Sequence, residues 1–120
     1  MRGAEHDEEL AETSEAGAHP ALGIDRLIHE PARLVILAVL SGADEVDFRF
    51  LEAATGLTKG NLSRQAAKLE EAGYIAIRKY FKGRVPATGY RITPAGRAAF
   101  DAYWAQMNAL QRSIQPRDAR

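Results

Sequence analysis

The sequence predicts a mainly α domain carrying one small β-hairpin, on three observations. Four segments repeat apolar residues at helical spacing. One segment near residues 74–93 switches to β-branched and aromatic residues around the turn formers Gly83 and Pro86. Between them, Thr55-Gly56 and Thr58 bring two helical patterns almost end to end.

The helices follow in order. DRLIHEP, from Asp25, reads as one short helical turn, and Pro31 suits the first turn of the next helix, where a missing N–H costs nothing. Residues 31–40 then form a helix expected to bury Leu34, Val35, Leu37, Ala38 and Leu40, which cover more than one stripe and predict a helix central to the core. His29, just before that proline, reads as a structural or partly buried histidine rather than a ligand. Ser41-Gly42 ends the helix, and Glu45 to Phe48 alternates like a very short strand or an extended entry to the next one.

Phe48, Leu51, Ala54 and Leu57 mark the next helix, which Thr55-Gly56 breaks, because glycine accepts the positive φ of a helix C-terminus. Thr58 is a good N-cap for a helix ending at Ala72 and closed by Gly73. Leu62, Ala66 and Leu69 share its apolar face; Gly60, Asn61, Arg64, Ala67, Lys68 and Glu71 fall opposite. This is a helix-turn-helix pattern. Small residues on the polar face permit close backbone approach, Asn and Arg can make bidentate contacts to base edges, and Lys suits phosphate.

Residues 74–81 read as a strand, KGRVPA as its interruption, and residues 88–93 as a second strand, giving a hairpin tipped by Lys82, Gly83, Arg84 and Val85. Thr93-Pro94 then opens a last helix that continues to about Gln115, before Pro116. Phe100, Tyr103, Met107, Leu110 and Ile114 repeat along it at spacings of three and four, a heptad seam with Trp104 beside it. That seam predicts a homodimer interface.

Composition narrows the function classes. With 120 residues and 46% hydrophobic content the chain can bury a real core, and with no cysteine it has no disulfide, thiolate metal site or cysteine nucleophile. Leu34 to Leu40 is the longest apolar run, far short of the roughly 20 residues a membrane helix needs, and the N-terminus is acidic where a signal peptide is basic. A soluble cytoplasmic protein without membrane contact is expected.

The net charge of zero hides an asymmetry. Residues 1–20 hold six acids (Glu5, Asp7, Glu8, Glu9, Glu12, Glu15) and one base (Arg2), a net of −5, with almost no large apolar side chain. Residues 58–97 hold nine bases against Glu70 and Glu71, a net of +7, which points to a nucleic-acid surface beside an acidic tail. His6 and His19 in that tail have no partner spacing for a metal. Neither a Ser/His/Asp set, paired carboxylates, a P-loop nor a dinucleotide fingerprint occurs, so neither an enzyme nor a cofactor is expected.

The stretches LIHEPARLVILAVL, FLEAATGLTKGNLSRQAAKLEEAGYI and GYRITPAGRAAF resemble the winged helix-turn-helix domains of small bacterial transcriptional regulators of the MarR and ArsR groups, over residues 25–100. The resemblance implies that the helix at 58–72 enters the major groove of double-stranded DNA, and that the wing at 81–87 reaches the backbone or minor groove. Metal-sensing ArsR relatives carry cysteine or histidine clusters that this chain lacks, so metal sensing is not carried over. The domain plan expected is a disordered acidic tail at 1–20, the winged domain at 21–93, a dimerisation helix at 94–115 and a short disordered tail at 116–120.

Within that frame Asn61, Ser63 and Arg64 are the expected base readers, and Thr58, Lys59, Lys68, Lys79, Lys82 and Arg84 the phosphate and wing contacts. Phe100, Tyr103, Trp104, Met107, Leu110 and Ile114 are the expected dimer interface. An unidentified small-molecule effector could sit against Phe100, Tyr103, Trp104 and Met107, although core packing explains that stripe more simply. The competing function is a winged helix used for protein contact, which the polar and cationic reading face disfavours.

Overall fold

The computed structural model describes residues 17–114. A 3-10 turn, Pro20–Gly23, is followed by α1 (Pro31–Ser41), β1 (Val46–Asp47), α2 (Phe48–Thr55), α3 (Lys59–Glu71), β2 (Ile75–Lys82), β3 (Val85–Ile92) and α4 (Pro94–Ser113). No described helix is long and apolar enough to cross a membrane. The chain divides into two compact units. Asp25–Ala105 is one, and the flanking residues, 17–24 and 106–114 of those described, form the other. In the flanking unit His19 caps the 3-10 turn, its Nδ1 accepting from Ala21 N at 3.0 Å, and its Nε2 lies 2.9 Å from Ser113 Oγ.

Where a short helical turn is expected, Asp25 to His29 closes a single hydrogen-bonded turn and no helix, with His29 N donating to Asp25 O and Asp25 Oδ1 accepting from Leu27 N at 2.9 Å, and Glu30 is already extended. The core of the larger unit is built from Ile28, Ile36, Leu37 and Leu40 against Leu51, Leu62 and Leu69, with Ile75, Tyr90 and Ile92 from the sheet. α1 buries one face only: Ala32, Ile36 and Leu40 stack four apart with Leu37 beside them, while Val35 (39% exposed) and Ala38 face outward. The expectation that Val35 and Ala38 are buried is thus corrected, because neighbouring elements cover a single stripe of the helix.

Local chemistry terminates each helix as the residues dictate. Asp47 caps α2, its carboxylate accepting from Phe50 N at 2.8 Å, and Gly56 ends it at φ +76°. Thr58 Oγ1 accepts from Asn61 N at 3.1 Å to start α3. α3 ends in a Schellman motif: Tyr74 N reaches Leu69 O and Gly73 N reaches Glu70 O, with Gly73 at φ +82°. The next helix is fastened to this same turn. Thr93 caps α4 by accepting from Gly96 N at 3.0 Å, while its hydroxyl donates to Gly73 O at 2.6 Å and its N–H to Tyr74 O at 3.0 Å.

The sheet is antiparallel in the order β1-β3-β2. Its hairpin is longer than the sequence suggested. Lys82 pairs with Val85, Phe81 with Pro86 and Tyr80 with Ala87, so the break is only Gly83-Arg84, with Gly83 at φ +66° as the first residue of a tight hairpin turn requires. Pro86 stays in the strand because it falls in a wide pair, its ring nitrogen turned from β2 toward an edge that β1 does not reach; β1 pairs only at Val46↔Tyr90 and Asp47↔Gly89.

Candidate nucleic-acid interface

α3 turns Leu62, Ala66 and Leu69 into the core and leaves Gly60, Ser63, Arg64, Ala67, Lys68 and Glu71 exposed. Arg64 and Lys68 lie one turn apart between small neighbours, so a surface as close-fitting as a groove floor can approach the helix. Asn61 stands at the edge of this face, half-buried. Thr58 is exposed at the N-terminus with its oxygen committed to the cap. Ala67 is exposed on the same face.

Two cations counted in the basic segment are already paired with carboxylates. Lys59 Nζ sits 2.8 and 2.9 Å from the two carboxylate oxygens of Glu52 on α2, with 73% of its side chain still exposed. Arg78 is held by Glu45 at 2.7 and 3.1 Å and lies 4.0 Å over the Tyr80 ring. The hydrogen bond from Arg78 keeps the Glu45 carboxyl below its usual range. Gly89 makes room for that pair, since a Cβ there would stand 2.6 Å from Glu45 Cδ. Lys79, Lys82 and Arg84 are exposed on the hairpin, flanked at its tip by the exposed apolar side chains of Phe81 and Val85. Between the hairpin and the start of α2 lies an open groove of about 490 Å³, lined among others by Phe48, Arg49, Tyr80, Lys82 and Pro86.

Behind the exposed face of α3 lies a hydrogen-bond relay that single-residue reasoning missed. Arg33 of α1, its side chain only 12% exposed, donates from a guanidinium nitrogen to Gln65 Oε1 at 2.6 Å. Gln65 Nε2 donates to Asn61 Oδ1 at 3.1 Å, and Arg64 reaches the same oxygen at 3.4 Å. The four-residue spacing of Asn61 and Gln65 signals half of this in the sequence. Nothing local signals Arg33.

The expected dimer residues divide. Phe100 and Tyr103 are 7% and 2% exposed within a single chain, and Tyr103 Oη lies 2.8 Å from His29 Nδ1. His29 thus makes a structural contact, one of the two roles expected of it, and is itself exposed. Trp104 is 43% exposed, its ring edge-on to both Phe100 and Tyr103. Met107 and Leu110 are half-buried, and Ile114 is 70% exposed. Among the described residues no group of His, Asp or Glu could hold a metal ion.

The hairpin flanking a two-helix turn has close counterparts. An uncharacterised protein of Methanocaldococcus jannaschii is 36% identical over 91 residues, covering 75% of this chain and 98% of its own. The structure of a transcriptional regulator homologue from Pyrococcus horikoshii superimposes with a TM-score of 0.73 at 24% identity, covering 91% of this chain and 99% of that one. A MarR-family transcriptional regulator from Silicibacter pomeroyi matches at a TM-score of 0.55 and 29% identity, over 79% of this chain and 60% of that one. Residues 32–111 match the model of the winged helix DNA-binding domain, and this chain belongs to that family.

Proposed function

We propose that the protein is a sequence-specific DNA-binding transcriptional regulator that acts as a homodimer in the cytoplasm, with α3 in the major groove and the Gly83-Arg84 turn on the backbone or in the minor groove. The observation that carries this reading is the exposed face of α3, where Arg64 and Lys68 stand between Gly60 and Ala67. Arg64, Asn61 and Ser63 read base edges; Thr58, Lys59, Lys68, Lys79, Lys82 and Arg84 meet phosphates and set the register. Base reading and phosphate binding are separate tasks.

Dimerisation through α4 uses Trp104, Met107, Leu110 and Ile114, with Phe100 and Tyr103 supporting Trp104 from inside the domain. Two copies related by a two-fold axis read two half-sites about one helical turn apart and double the phosphate contacts. The proposed domain plan is an acidic tail at 1–20, a winged domain at 21–93 and a dimerisation helix at 94–115; residues 1–16 and 115–120 lie outside those described.

The test is anisotropy binding to a fragmented pool of host DNA across a salt series, with the tightest fragments sequenced. A palindromic site that survives near-physiological salt is expected. Failure to bind any fragment at low salt overturns the reading in favour of protein contact, for which exposed Phe50, Phe81 and Val85 are the available apolar anchors.

A further inference from the structure

Resting on the DNA-binding reading, we infer that Arg33 and Gln65 set the hydrogen-bonding polarity of Asn61, so that it presents donors to the major groove and selects guanine over adenine. Arginine carries donors only, so the Gln65 atom 2.6 Å from the Arg33 guanidinium is its oxygen. The other end of that amide is then the NH2 group, a donor. The Asn61 atom 3.1 Å from it must accept and is therefore Oδ1. One guanidinium fixes the orientation of two amides in series.

The same oxygen also lies 3.4 Å from Arg64, a contact Arg64 gives up when it turns to a base. Asn61 Nδ2, with two hydrogens, has no hydrogen-bond partner among the described residues. A free asparagine pairs with adenine by accepting from N6 while donating to N7. The bidentate adenine geometry needs Oδ1 beside Nδ2 at the base edge, whereas Oδ1 is bonded to Gln65 on its own helix. Guanine offers acceptors at both O6 and N7, which two donor hydrogens satisfy. Adenine would leave its N6 donor unmet.

The relay is well anchored. Arg33 is also held by the Leu27 carbonyl through Nε and lies 3.9 Å from Glu30, itself the cap of α1. Arg33 and Gln65 are thus positioning residues, and Asn61 is the contact.

The experiment is selection of binding sites from a random duplex library by the full chain, its Asn61→Ala form and its Gln65→Glu form, with thermal melting to establish that each is folded. Gln65→Glu retains an acceptor for Arg33 and removes the donor to Asn61. The expected result is a base position, lost in Asn61→Ala, where the unaltered protein enriches guanine and Gln65→Glu shifts toward adenine by about tenfold. Enrichment of adenine there by the unaltered protein, or an unchanged preference in folded Gln65→Glu, overturns the inference. A selected site with no Asn61-dependent position overturns it too, while leaving the DNA-binding reading standing. Absence of any enriched site overturns that reading itself.

Discussion

A Cβ built on Gly96 would stand 2.0 Å from the carbonyl oxygen of Tyr74. α4 therefore begins in backbone contact with the residue that leaves α3, at the same place where Thr93 bonds to Gly73 and Tyr74. Gly96→Ala must push α4 off this turn. Alanine's better helix propensity offsets about 1 kcal/mol, yet the clash is with main chain that cannot rotate aside, so a net loss of about 1–3 kcal/mol is expected in urea unfolding.

The Tyr74 hydroxyl donates to Asp25 Oδ2, and that bond, followed by partial burial, raises the phenol to about 12. The folded state thus keeps a proton that the unfolded chain releases near pH 10. Stability from this group is complete below about pH 10 and is lost as pH rises toward 12. An ultraviolet titration should show one of the four tyrosines ionising near 12, and Tyr74→Phe should remove that step. Its persistence in Tyr74→Phe would assign it to another ring, Tyr90 first, whose phenol is also raised, mainly by burial.

Arg64→Ala should weaken the selected site by about 1–3 kcal/mol and relax its sequence preference, whereas Lys82→Ala should weaken cognate and random DNA about equally and flatten the salt slope by about one unit. Equal losses on both DNAs for Arg64→Ala would remove it from the base readers.

Lys59 must leave Glu52 to meet a phosphate. Breaking so exposed a pair should change stability by less than about 1 kcal/mol. Glu52→Gln should nevertheless tighten DNA binding about two- to fivefold at low salt, converging with the unaltered protein as salt rises. Unchanged affinity at low salt would show that Lys59 does not touch DNA.

Met107→Glu should convert a dimer into a monomer in sedimentation equilibrium and weaken binding to a two-half-site operator far more than to a single half-site. A dimer that persists would place the interface off this seam.

Most of the fold was legible because its signals are local. Caps at Thr58 and Thr93, the stop at Gly73, and the periodicity of Leu62, Ala66 and Leu69 all act within about one helical turn, and the turn at Gly83 acts within two residues. The sequence by itself therefore determined element type, order and the polar face of α3. Tertiary structure decided how those elements spend their side chains. It buried Phe100 and Tyr103 inside one chain, left Val35 exposed, and occupied Arg78 with Glu45, 33 residues away. It also brought Arg33 to Gln65 across 32 residues, giving Asn61 its orientation. Such pairings depend on which helix faces meet once the core closes, and no spacing along the chain encodes that distance.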